Sequence, residues 1–101
     1  MLASFSVFPI GKGESLSQYV SQIIDIVDQS GLEYRLNPMG TVVEGEWDEV
    51  LALVKECHLK MRQSSTRVIT TISIDDRGGA RDRIKGKIES VEHQLGREIK
   101  K

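Results

Sequence analysis

The chain has 101 residues, 39% of them apolar, with 14 basic against 15 acidic side chains and a net charge of −1. That length holds one domain around one core. The even charge balance excludes the basic surplus that a polyanion-binding surface normally carries.

Residues 2–9 alternate, with Ala3, Phe5 and Val7 facing one way and Ser4, Ser6 and Phe8 the other, and the run stops at Pro9, Gly11 and Gly13. A period of two marks a half-buried strand. Ser15-Leu16-Ser17-Gln18 then has the form of a capping box, in which Ser15 caps a helix and Gln18 reaches back to it. Leu16, Tyr19, Val20, Ile23 and Val27 follow at helical spacing, and Gly31 closes the helix. Glu33–Asn37 alternates again, Pro38-Met39-Gly40 turns, and Thr41–Glu44 resumes as a strand, so the two runs form a hairpin. A second helix starts at Trp47, with Asp48 and Glu49 in its first turn where the helix dipole favours acids. Its expected apolar face is Trp47, Val50, Leu51, Val54, His58 and Met61. Arg67–Asp75 is β-branched at most positions and reads as the fourth strand. After a turn at 75–79, a last helix over about 82–96 carries a narrow seam of Ile84, Ile88, Val91 and Leu95.

The order β-α-β-β-α-β plus a C-terminal helix predicts a single α+β domain over residues 1–101. It is the ferredoxin-like arrangement, an antiparallel sheet with its first and third strands in the middle and both main helices on one face. Parity then assigns Ala3, Phe5, Val7, Tyr34, Leu36, Val68, Ile72 and Ile74 to the helix side. The other face carries Ser4, Ser6, Arg35, Asn37, Thr71 and Ser73, with Phe8 and Ile69 among them. On the hairpin strand either Val42 and Glu44 or Thr41 and Val43 share that face; the cost of burying a carboxylate favours Glu44 outward. The open face is the expected working surface.

Candidate chemistry is sparse. Gly11-Lys12-Gly13-Glu14-Ser15 lies between a strand and a helix, but it lacks the phosphate-loop spacing and Glu14 opposes an anion, so it reads as a turn with a cap. Cys57 and His58 are adjacent on a helix and point about 100° apart, with no further cysteine to complete a metal site. Trp47 reads first as a core anchor and second as a stacking platform. No nucleophile–base pair can be assembled, so the expectation is a protein without catalysis, metal or cofactor. The opening segment lacks a basic stretch and no apolar run is long enough to cross a bilayer. With a lone Cys57 that has no internal partner, this suits the cytoplasm.

Leu36-Asn37-Pro38-Met39-Gly40-Thr41, then Glu44-Gly45, then Asp75-Asp76-Arg77-Gly78 ahead of the Lys87/Ser90-Val91 helix, resemble the small bacterial and archaeal thiamine-binding proteins, a family formerly grouped as uncharacterised. The resemblance covers nearly the whole chain, and P-M-G-T-x-x-E-G is its most specific part. It implies a ferredoxin-like fold, homodimers or homotetramers, and binding of thiamine or its aminopyrimidine without catalysis. Thr41 and Glu44 lie in that motif. Parity and position add Ser6, Phe8, Asn37, Met39, Gly40 and Trp47 as expected ligand contacts. In this scheme Glu44 meets the ligand's positive charge, Phe8 or Trp47 stacks, and Ser6, Asn37 and Thr41 orient it. An RNA-binding module of the same strand order would need aromatics on the central strands, which Gly40–Glu46 lacks. An acylphosphatase-like enzyme would need an arginine in the first loop, which has only Lys12. A ligand-free oligomeric regulatory module is the remaining alternative.

Overall fold

The computed structural model describes residues 1–11, 17–78 and 83–100. Its elements in chain order are β1 (Leu2–Pro9), α1 (Ser17–Gln29), β2 (Glu33–Asn37), β3 (Gly40–Glu44), α2 (Trp47–Arg62), β4 (Val68–Asp75) and α3 (Arg83–Leu95). The strands form one antiparallel sheet in the order β2-β3-β1-β4, with β3 and β1 central as the ferredoxin-like order requires. The expected cap at Ser15, most of the Gly11–Ser15 loop, and residues 79–82 lie outside the described residues.

Register fixes which side chains share a face. Ala3 pairs with Val43 and Ile74, and Phe5 with Thr41 and Ile72, so these six lie on one side together with Val7. That side meets α1 and α2. Ala3, Phe5, Val7 and Val43 are buried against Ile23 and Val27 of α1 and Val50, Leu53, Val54, Cys57 and Met61 of α2. Each large side chain so buried contributes about 1.5–3 kcal/mol. The opposite side carries Leu2, Ser4, Ser6 and Phe8 beside Val42 and Glu44, which settles the parity of the hairpin strand with Glu44 outward.

Two expectations about the helices change. The buried stripe of α2 is Val50, Leu53, Val54, Cys57 and Met61, while Trp47 is 51% exposed. Spacings of three, four and seven from Val50 select Leu53, Val54 and Cys57, so the true stripe is rotated from one drawn through Trp47 and His58. His58 instead shares a hydrogen bond with Thr70 on β4, Nδ1 to Oγ1 at 2.6 Å.

The second change concerns α3, which lies across the face expected to be open. Glu44 accepts from the backbone N–H groups of Arg83 and Ile84, Oε2 at 3.0 Å and Oε1 at 3.2 Å. Those are first-turn donors that have no partner within their own helix. Ile84 is buried, and Ile84 and Ile88 share a cleft with Leu2, Arg35 and Val42 of the sheet. Lys87 pairs with Asp75, tying the same helix to the end of β4. Val91 and Leu95, the rest of the expected seam, stay about half exposed. The part of the face that remains open is therefore the β1–β4 half, around Phe8 and its register partner Ile69. None of the described helices is long and apolar enough to cross a membrane.

Candidate ligand-binding site

The central strands differ in length. β1 has eight residues and pairs with β4 along all of them, but it pairs with β3 only from Leu2 to Phe5. Beyond Phe5 the hairpin has turned back at Pro38-Met39 and β3 goes no further, so the second half of β1 has a neighbour on one side only. A notch results. Its floor is β1, one wall is the hairpin turn, and the other is α1.

The turn stands very close to the strand. A Cβ on Gly40 would lie 2.9 Å from the carbonyl oxygen of Phe5 and 3.8 Å from Cβ of Ser6. The first contact is shorter than carbon and oxygen tolerate, and its partner is backbone, so only glycine fits. α1 contributes Val20, Ile23 and Ile24 at helical spacing, and β2 contributes Leu36. The enclosed volume is about 370 Å³, at the lower end of the range for small-molecule sites. The lining is mainly apolar, and its polar side chains are Ser6, Asn37 and Thr41.

Six of the eight expected contacts, Ser6, Phe8, Asn37, Met39, Gly40 and Thr41, line this notch. Thr41 is buried at its base, Phe8 is 36% exposed, and Met39 at the turn is 91% exposed. Glu44 and Trp47 are not among the lining residues. Glu44 lies at the far end of β3 and on the other face of the sheet from Thr41, occupied with the first turn of α3. Trp47 follows three residues later, at the start of α2. An odd separation along a strand puts two side chains on opposite faces, and 41 to 44 is three.

Pairing geometry places another polar group in the notch. The Met1 carbonyl accepts from Gly45 N–H on the β3 side, and Ile10 N–H donates to the Arg67 carbonyl on the β4 side. In an antiparallel ladder the direction alternates residue by residue. Odd residues of β1 therefore turn both backbone groups toward β3, and Val7 turns them toward the place that β3 has vacated. Among the described residues no turn or loop backbone group bonds to either, and the β1–β3 register has already ended at Phe5. Pro9, the next odd position, has no N–H to leave unpaired, as suits a strand edge.

Groups outside the notch offer little chemistry. Burial pushes the Cys57 thiol up to about 12, with the neighbouring Glu56 carboxylate adding to the effect, so it stays a neutral core side chain. Among the described residues no three of His, Cys, Asp or Glu gather as a metal site would require. The Tyr34 hydroxyl donates to Asp28 at 2.9 Å, which raises its pKa and fastens β2 to the end of α1.

Val20, Ile24 and Pro38 were not expected as wall residues. Their signal is the apolar surplus on α1, where Val20 and Ile24 lie beside the Ile23–Val27 stripe that faces the core. The notch itself is visible in strand lengths, because a run of eight cannot be matched by a hairpin strand of four or five.

Comparison with known proteins agrees with this architecture. A UPF0045 protein of Methanocaldococcus jannaschii is 35% identical over 91 residues, covering 90% of this chain and 91% of that one. A UPF0045 protein of Mycobacterium bovis is 37% identical over 96 residues, covering 94% of each. The crystal structure of the M. jannaschii protein matches with a TM-score of 0.83 at 36% identity, over 89% of this chain and 93% of that one. A proposed thiamine biosynthesis/salvage protein of Thermotoga maritima matches with a TM-score of 0.78 at 27% identity, over 89% and 96%. The family model for the thiamine-binding protein matches residues 3–92, and the chain belongs to that family.

Proposed function

We propose that this protein binds thiamine, or its aminopyrimidine portion, in the notch beside β1 and carries out no reaction on it. The observation that carries this proposal is the convergence of six expected contacts on one cleft of about 370 Å³ in a member of the thiamine-binding family. The flat pyrimidine suits the apolar walls at Val20, Ile24 and Leu36, with Thr41 and Ser6 at hand as neutral donors and acceptors. The permanent charge of the thiazolium then stays near the mouth, where Phe8 offers a ring face and water remains in reach. The lining supplies hydroxyl and amide groups and no titratable side chain among the described residues, which favours binding over acid–base chemistry. We further expect a cytoplasmic homo-oligomer. Phe8 and Ile69 are exposed next to each other, and β4 is an eight-residue edge strand, the kind of edge a symmetric contact covers.

A calorimetric titration with thiamine tests the ligand, and light scattering at micromolar protein tests the assembly. We expect saturable binding of one thiamine per notch and a raised melting temperature. At ~100-fold excess over the dissociation constant the stabilisation is about 2.7 kcal/mol. Neither heat nor a thermal shift at millimolar thiamine leaves the ligand-free regulatory module as the better account. A clean 11.3 kDa species would remove the oligomer.

A further inference from the structure

We infer that the backbone of Val7 is the specificity-determining element of the notch, a donor–acceptor pair that reads the amidine-like edge of an aminopyrimidine. This rests on the notch being the ligand site. Val7 is 8% exposed, yet ladder alternation turns its N–H and C=O away from β4 and past the end of β3. Buried backbone groups are almost always paired, because an unpaired one carries the full cost of its lost water. A strand edge that no described residue covers, inside an apolar cleft, is therefore suited to a partner that supplies the missing acceptor and donor.

The N–H and C=O of one strand residue point the same way, side by side. A ring nitrogen next to an exocyclic amine presents the complementary pair. The ring nitrogen accepts from Val7 N–H, and the amine donates to Val7 C=O. The 4-aminopyrimidine of thiamine has that edge, and cytosine shares it. The walls define the plane of the ring, since Leu36 and Ile24 close the cleft beside the strand. Gly40 lets the turn stand close against the strand and wall the cleft at that end. Replacing the amine by a carbonyl inverts both partners: a ring N–H then faces Val7 N–H, and an oxygen faces Val7 C=O. Turning the ring over restores the pairing only by aiming its link to the thiazolium at the opposite wall.

Two measurements on the intact protein test this. In the first, thiamine, its 4-oxo analogue oxythiamine, cytosine and uracil are titrated in parallel. Oxythiamine is expected to bind at least about 30-fold more weakly, because two buried hydrogen bonds are mismatched at once. Equal affinity for thiamine and oxythiamine overturns the inference and leaves thiamine binding intact. Absence of thiamine binding overturns the proposed function itself. Cytosine matching thiamine while uracil fails supports the Val7 edge and moves the ligand to a nucleobase. The second measurement is amide exchange resolved at Val7, Ala3 and Phe5. In the free protein Val7 should exchange at least tenfold faster than its ladder-bonded neighbours, and saturating thiamine should slow Val7 selectively. Thiamine that binds without slowing the Val7 amide defeats the inference.

Discussion

The hairpin motif Pro38-Met39-Gly40-Thr41-Val42-Val43-Glu44-Gly45 has two ends that do different work. Its first half bends over β1 and shapes the notch, with Gly40 against Phe5 and Thr41 at the base. Its second half holds the frame. Glu44 caps α3 on the outer face, and Gly45 donates to Met1, where a Cβ would crowd the Leu32 and Val50 methyls at 3.1–3.3 Å. Eight consecutive residues can thus belong to a site and to a scaffold at once. A motif marks where constraint is concentrated, and strand parity decides which constraint each residue serves.

Substitutions at the two ends should therefore separate binding from stability. The largest effect is expected at Gly40. In Gly40→Ala the new methyl meets a backbone oxygen that is itself held in the β1–β3 ladder, so the turn must move away from the strand. Overpacking of this kind costs about 1–3 kcal/mol, a fall of roughly 10 °C in melting temperature for a domain of this size. The displaced turn should also weaken thiamine binding by more than about tenfold, read by calorimetry on the fraction still folded. A Gly40→Ala protein with native stability and affinity would mean that the hairpin turn is pliant and does not shape the notch.

Glu44→Gln comes next. The amide keeps the shape and loses the charge that favours two helix N–H groups, so roughly 1 kcal/mol of stability should go. Amide exchange across Arg83–Leu95 should accelerate, while the thiamine dissociation constant stays within threefold. The sequence alone supports a different expectation for this residue, a ligand contact whose loss spares the fold. Loss of affinity without loss of stability would restore that role and break the division between the two ends.

The element order, the central pair of strands and the outward parity of Glu44 are all legible in the sequence, because a period of two and a period of 3.6 leave plain marks. The open face was legible only in part. A seam such as Ile84, Ile88, Val91 and Leu95 says that a helix must cover something, but it does not say what. The N–H groups of Arg83 and Ile84 find their acceptor about forty positions earlier in the chain, and no local pattern announces such a pairing. Trp47 misleads for a related reason. Large aromatic side chains are usually buried, yet this one sits at the helix start, rotated away from the stripe that begins at Val50.

Phe8→Ala probes the notch from its mouth and should do the reverse of Glu44→Gln. Phe8 is already partly exposed on the open face, so its removal should lower the melting temperature only slightly. Losing a ring face beside a cationic heterocycle should weaken thiamine by about 0.5–1 kcal/mol, roughly two- to fivefold. Loss of the oligomer with unchanged affinity would assign Phe8 to a subunit contact instead.

The smallest effect is expected at Asp75, where the pairing with Lys87 adds an electrostatic tie to the scaffold end. The hydrogen bond and charge of Lys87 hold the Asp75 carboxyl below its usual range, with smaller help from Arg83 and Arg77. A carboxyl whose folded pKa is depressed stabilises the fold above its unfolded pKa, ordinarily near 4, and loses that contribution as pH falls through the folded value. The pair is solvent-exposed, so screening keeps its share small and sensitive to salt. Wild type should therefore lose slightly more stability than Asp75→Asn on going from pH 6 to pH 3, and 0.5 M salt should shrink the difference. Because Glu44 and Asp75 hold the same helix, Asp75→Asn should further loosen α3 in the Glu44→Gln background while leaving thiamine affinity unchanged. A thiamine dissociation constant that followed α3 loosening across this pair of variants would mean that the far end of β3 communicates with the notch, and the two halves of the motif would then be one device.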